Sequence, residues 1–189
     1  MKAWNRQIGT KGFSLIELLM AIAIAGILIG VGLPSFLGLI QRSSINAGTR
    51  QVLYEIRAVQ NLAVTRGSTF GFHWGGDPAI VGPQPSQYRI ERNLTGNCVD
   101  WPLPGDSKAT PNPDVITDWF DLAGEYPGIV VQSVRDNVGT DLGGVMFNSR
   151  GASVNTCAVV TFPVTVTVAD NSGVTRTITI QRAGRATSP

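Results

Sequence analysis

The chain has 189 residues, 43% of them hydrophobic, with 22 Gly and 11 Pro. That length holds one ordinary domain plus an appendage, and that composition excludes a disordered chain. The formal net charge is +2, and Lys2, Arg6 and Lys11 all precede residue 13 with no acid among them. Removing those 3 from 15 basic residues leaves 12 against 13 acidic ones, so the body is close to neutral and composition gives no reason to expect a nucleic-acid partner.

Residues 13–33, FSLIELLMAIAIAGILIGVGL, are almost wholly apolar. A helix of this length crosses roughly 30 Å of hydrocarbon, and the basic residues before it predict a cytoplasmic amino end and an exported body. No small-residue cleavage site follows the apolar run, so the segment is expected to stay in the mature chain. Glu17 interrupts it, and a carboxylate costs about 3 kcal/mol at a bilayer centre, less near the interface. Such a residue points to a function and a partner. Gly26 and Gly30 have the spacing that lets two helices approach closely. Pro34 removes one backbone hydrogen bond and is expected to kink the helix.

From Ser43 to about Arg66 the pattern is amphipathic. Val52, Ile56, Val59 and Ala63 recur at helical spacing, flanked by Leu53 and Leu62, with Arg50, Glu55, Arg57 and Gln60 expected outside the stripe. Gly67 is a stop signal. Beyond it the period changes to two. Strands are expected over residues 69–74, 87–92, 129–134, 144–148, 158–162, 164–168 and 174–180, with a hairpin turn at Asp170–Gly173. Pro163 marks an edge or a break. Residues 75–85 and 102–113 read as Pro/Gly-rich loops. No internal repeat is present.

Lys11-Gly12-Phe13-Ser14-Leu15-Ile16-Glu17 resembles the prepilin processing motif of type IV pilins and type II secretion pseudopilins. The resemblance implies cleavage after Gly12 by a cytoplasm-facing prepilin peptidase, N-methylation of Phe13, and pairing of Glu17 with the Phe13 amine of a neighbouring subunit. The family also has a proline at the position of Pro34. Val145–Gly151, Arg176–Arg185 and the helix end Arg57–Gly67 resemble the GspH/FimT/FimU group of minor pilins and pseudopilins, and Pro34-Ser35-Phe36 resembles a pilus minor pilin. The resemblance implies an α+β pilin fold: a long N-terminal helix, half transmembrane and half amphipathic, packed on an antiparallel β-sheet domain. Residues 1–12 are the expected leader, 13–40 the transmembrane and assembly helix, and 41–189 the globular domain. It also implies an inner-membrane protein with a periplasmic body that assembles into a pilus or pseudopilus with other major and minor pilins or pseudopilins.

Export makes a disulfide between Cys98 and Cys157 the natural state, worth about 4 kcal/mol through closure of a loop of about sixty residues. No catalytic set is expected. His73 is the only histidine and reads as a packed side chain, so no acid–base pair is anticipated. No cofactor is implied. Asp136–Asp141 lacks the downstream glutamate of a calcium loop and reads as a surface turn. Asp114, Asp118 and Asp121 read as a solvated face, and Asn93–Thr95 fits a glycosylation sequon. Some FimT-like pilins bind DNA through a C-terminal Gly-Arg-x-Arg. Here Gly184-Arg185-Ala186-Thr187 has Thr for the second Arg, and Arg176, Arg182 and Arg185 read as solubilising, with DNA as the alternative partner.

Overall fold

The structure, a computed structural model, describes residues 13–76, 85–92, 115–154 and 160–188, with backbone alone over 31–37. The chain divides into two compact units, Met1–Ile40 and Gln41–Pro189. Helix α1 spans Leu15–Arg66, 52 residues. Its backbone passes through position 34 within that span, so the helix continues past Pro34, as the sequence pattern on both sides of it implies. A proline removes a single hydrogen bond, and turns on both sides sustain the helix.

In the first unit the residues of α1 up to Ile40 are exposed wherever side chains are described. In the second, α1 buries Ile45, Val52, Ile56, Val59 and Ala63 completely. The expected stripe therefore holds and begins earlier, at Ile45, with Thr49 sending its hydroxyl back to the Ile45 carbonyl at 2.7 Å. Glu55 and Gln60, expected outside, are half-buried at the stripe's margins. Gly67 ends the helix with φ +63°, and the Ser68 amide returns to the Ala63 carbonyl at 3.3 Å, closing the left-handed C-terminal turn that only glycine adopts cheaply.

The stripe lies on two antiparallel sheets. The first contains β1 (Phe70–Trp74), β2 (Gln87–Arg92), β3 (Phe120–Asp121), β5 (Gly144–Phe147) and β6 (Ser153–Val154), in the order β3-β2-β1-β5-β6. The second contains β4 (Val130–Arg135), β7 (Val164–Ala169), β8 (Thr175–Ile180) and β9 (Ala186–Thr187), in the order β4-β7-β8-β9. A single turn, α2 (Leu122–Glu125), follows β3. Alternate residues of both sheets share one core with α1: Phe70, Phe72, Tyr88, Ile90, Val145 and Phe147 from the first, and Val131, Val134, Val166, Val168, Ile178 and Ile180 from the second. The α+β class, a helix packed on antiparallel sheets, is as expected.

Two expected strands differ. The strand placed at 129–134 runs one residue later, as β4, and carries a register shift between Val131 and Ser133. Of the strand placed at 158–162, the described residues 160–162 are not in a strand. Asp136 holds them instead: its Oδ2 accepts from the Thr161 hydroxyl at 3.2 Å and lies 3.4 Å from the Thr161 amide. Pro163 precedes β7, as a break should. The hairpin turn forms as expected. The Asp170 amide donates to the Val174 carbonyl at 3.0 Å, and Asp170 Oδ1 accepts from the Ser172 and Val174 amides, both at 2.9 Å.

Candidate functional site

The amino-terminal end of α1 is built by Ser14, whose carbonyl accepts from the Glu17 and Leu18 amides at 3.0 and 3.2 Å. Glu17 therefore sits in the first helical turn, where free N–H groups and the helix dipole favour a carboxylate. It is exposed, as is Phe13. Around Glu17, Leu15, Ile16, Leu18, Leu19, Met20, Ile22, Ile24, Ile27, Leu28 and Ile29 all expose more than half of their surface. A helix apolar on every side is stable in water only when lipid or other chains cover it. A Cβ added at Gly26 or Gly30 would meet nothing within 4 Å, so neither glycine is required by this chain's own packing. Among the described residues, no helix is long and apolar enough to cross a membrane; the side chains of 31–37, including Pro34, lie outside them. So do Gly12, Cys98, Cys157, Asn93–Thr95 and Asp114, and with them the cleavage site, the disulfide and the sequon.

The two glycine turns singled out in the body meet at the helix. Gly151 and Gly184 have φ of +75° and +88°. Their amides close tight turns onto the carbonyls of Asn148 and Gln181, both at 2.8 Å. Gln60 Nε2 donates to the Gly151 carbonyl at 2.7 Å, Arg57 Nη2 to the Ala186 carbonyl at 3.0 Å, and the Ser153 amide to the Arg182 carbonyl at 3.1 Å. A Cβ on Gly184 would fall 1.9 Å from the Gly151 oxygen and 2.4 Å from Gln60 Nε2. The two motifs are thus one joint between the sheets and α1, and Gln60 is its pin.

The three C-terminal arginines are not one cluster. Arg182 and Arg185 share the β8–β9 turn, with the Arg182 guanidinium 5.9 Å from the Phe162 ring centroid. Arg176 lies at the other end of β8, roughly 20 Å along the strand, where its Nε donates to Asn46 Oδ1 at 3.2 Å.

One buried group escaped sequence reasoning. His73, Arg89 and Glu91 are fully buried on the face of the first sheet that points away from α1. His73 Nδ1 lies 3.0 Å from Glu91 Oε2, Arg89 Nε binds Glu91 Oε1, and the Arg89 guanidinium stacks 4.5 Å from the Trp119 ring centroid. The expectation that no acid–base pair exists is corrected: His73 and Glu91 make one. Register explains it. His73 pairs with Arg89 and Gly71 with Glu91, so the position opposite Glu91 has no side chain and the carboxylate can lean between its two partners. The one available signal was the unlike charges two residues apart in Gln87–Arg92. Complete burial makes this a structural ion group, not a substrate-facing one. His73 is packed, as expected.

Elsewhere the acids are occupied or solvated. Burial works to raise the Asp136 carboxyl, but hydrogen bonds from Thr140, Thr161 and Val138 outweigh it and hold it below the usual carboxylate range. Oδ1 takes the Val138 and Thr140 amides and Oδ2 takes Thr161, so both oxygens of Asp136 meet protein donors. The Ser172 hydroxyl similarly holds Asp170 low. Burial raises Glu55 above its ordinary value, partly offset by a hydrogen bond from Gln51. Asp118 and Asp121 are exposed, as expected. Among the described residues no group of three or more His, Cys, Asp or Glu is placed to hold a metal ion.

Residues 9–33 match the prokaryotic N-terminal methylation motif. No curated protein matches the chain. Among solved structures it is similar to the minor pseudopilin EpsH from the type II secretion system of Vibrio cholerae, at 11% identity, TM-score 0.49, covering 77% of this chain and 93% of that one. It is likewise similar to the type IV minor pilin FimU of Pseudomonas aeruginosa, at 11% identity and TM-score 0.49, covering 76% and 91%.

Proposed function

We propose that this chain is a minor pilin: a noncatalytic filament subunit, cleaved after Gly12, methylated on Phe13, anchored in the inner membrane by its apolar helix, and assembled with other pilins to initiate or cap a type IV pilus. The observation that carries the proposal is a methylation motif leading into a helix whose exposed apolar residues surround a single acid, Glu17. In a water-poor fibre, Glu17 pairs with the Phe13 amine of the neighbouring subunit, where opposite charges attract far more strongly than in water. Exposed Gly26 and Gly30 leave room for the neighbour's helix. The periplasmic body is closed by the Cys98–Cys157 disulfide. The same features fit a GspH-like pseudopilin of type II secretion, and the Pro34-Ser35-Phe36 segment favours the pilus.

Glu17→Ala keeps the apolar helix and removes the charge. The variant is expected in the membrane fraction at the wild-type level and absent from sheared fibres. Fibres that contain it at the wild-type level overturn the proposal, as does mass spectrometry that places the mature amino terminus beyond residue 33.

A further inference from the structure

The second unit begins with a row of positive charge. Gln41 follows Ile40 directly, and from there Arg42, Asn46 and Arg50 recur every fourth residue of α1, all three exposed. Residues four apart lie on one side of a helix, and the row from Arg42 to Arg50 is about 12 Å long. Arg176 joins it from the second sheet. It lies on the face of β8 that carries buried Ile178 and Ile180, but beyond the core, where its Nε donates to Asn46 Oδ1 at 3.2 Å. Three guanidinium groups, always charged, therefore flank one asparagine. Among the described residues none of the three is in an ion pair. The hairpin that brings Arg176 is exposed from Asn171 to Arg176 and shows one large apolar side chain, Val174. Its acid, Asp170, is committed to the turn itself: Oδ1 accepts from the Ser172 hydroxyl at 2.7 Å as well as from the Ser172 and Val174 amides.

Guanidinium groups beside an exposed valine suit a surface that is both anionic and apolar. A bilayer containing anionic phospholipid is such a surface. Its phosphates accept paired hydrogen bonds from guanidinium groups, and an apolar side chain can enter the acyl boundary beneath them. Position in the chain favours lipid over other anions. Arg42 stands nine residues past the apolar run that ends at residue 33, about 13 Å of helix. A headgroup layer is about 5–7 Å thick on each side of the hydrocarbon, and a long arginine side chain reaches back toward it. Tilt is ordinary for helices that span a bilayer, and a tilt toward this row also lowers Arg50 and Arg176. Each arginine near an anionic surface strengthens the contact about fivefold, and salt screens the attraction beyond about 8 Å at physiological strength.

We propose that Arg42, Arg50 and Arg176, with Val174, form a docking surface for the anionic phospholipid headgroups of the leaflet from which the body emerges. The proposal rests on the reading that the apolar helix anchors the chain in a membrane, and adds which side of the body lies on the lipid. The test places the full-length chain in nanodiscs of phosphatidylcholine alone, or of phosphatidylcholine with a one-third share of phosphatidylglycerol. Amide hydrogen exchange then reads the 170–178 hairpin, with the exposed 136–141 turn as internal reference. Exchange of the hairpin is expected to slow at least fivefold in the anionic discs, with the reference turn unchanged and the difference abolished by high salt. The triple variant Arg42→Gln, Arg50→Gln, Arg176→Gln is expected to lose the difference, while Arg150→Gln with Arg185→Gln keeps it. Equal exchange in the two discs overturns the proposal, as does a difference that survives the triple variant or is lost in the control variant. So does a duplex DNA oligonucleotide that protects the hairpin equally in neutral discs; that result assigns the arginines to nucleic acid. The comparison of lipids on the unaltered chain stands even if the triple variant fails to fold. A chain that enters the discs without a lipid-dependent difference overturns the docking surface alone, whereas a chain that does not enter them overturns the reading beneath it.

Discussion

Gly184→Ala tests whether the two glycine turns and Gln60 form one joint. Two costs arise. Gly184 has φ +88°, and placing an L-residue in the left-handed region costs about 1–2 kcal/mol. The new Cβ would also lie 1.9 Å from the Gly151 oxygen and 2.4 Å from Gln60 Nε2, so the turns must part and the Gln60–Gly151 hydrogen bond must break. Losing that bond removes about 1 kcal/mol, and leaving its carbonyl unmet adds about 1–3 kcal/mol. The expected total is roughly 3–6 kcal/mol. Gly173→Ala is the matched control, because φ there is +83° and nothing lies within 4 Å of the added Cβ. It should cost the backbone term alone, about 1–2 kcal/mol. Urea unfolding of the purified chain, followed by Trp fluorescence, gives both values from the midpoints, provided the slopes agree. Equal losses in the two variants would refute the joint, since only the Gly184 position presses on a second turn and on α1.

The buried acids give two further outcomes. Glu91→Ala removes the carboxylate that both Arg89 and His73 touch, and is expected to cost about 3–5 kcal/mol; a change below about 1 kcal/mol in the same urea assay would mean that Glu91 does not hold the group together. Asp136 has its folded pKa below the unfolded one, so its contribution is present above the unfolded pKa of about 4 and is lost as pH falls through the folded value. Asp136→Asn has one acceptor oxygen where Asp136 uses two, Oδ1 for the Val138 and Thr140 amides and Oδ2 for Thr161; it should be less stable than wild type at neutral pH, with the difference shrinking below about pH 4, and a gap that stays constant down to about pH 3 speaks against the Asp136 hydrogen bonds.

Much of the body was legible from period and punctuation. The 52–63 stripe, the Gly67 stop and the Asp170–Gly173 hairpin rest on local chemistry, and local chemistry is what a sequence displays directly. The β3, β6 and β9 strands have two residues each, too few for a period to show, and their pairing is fixed by neighbours far along the chain. Val160–Phe162 failed for the opposite reason. Its composition is that of a strand, but Asp136, 25 positions earlier, takes up the Thr161 donors. In the amino-terminal unit, order of residues was the whole signal: basic residues, Gly12, Phe13, Glu17 and an apolar run can be read without coordinates.

The burial of Arg89 and Glu91 bears on how the body is put together. Alternation in Gln87–Arg92 predicts Tyr88 and Ile90 inward with the charged residues in water, which is true only of a sheet with one wet face. Here β1 and β5 bury every residue, so the first sheet is covered on both sides: by α1 on one, and by a layer including Trp119 on the other. The inner face is apolar but for the Tyr88 hydroxyl and is built from residues whose period announces it. The outer face is ionic, and an ion group gains from burial only if each charge meets its partners at good geometry. It therefore specifies where its cover sits in a way that an apolar face does not. That division assigns different work to the two faces, with stability residing mainly in the stripe of α1 and the register of the covering segment residing in His73, Arg89 and Glu91.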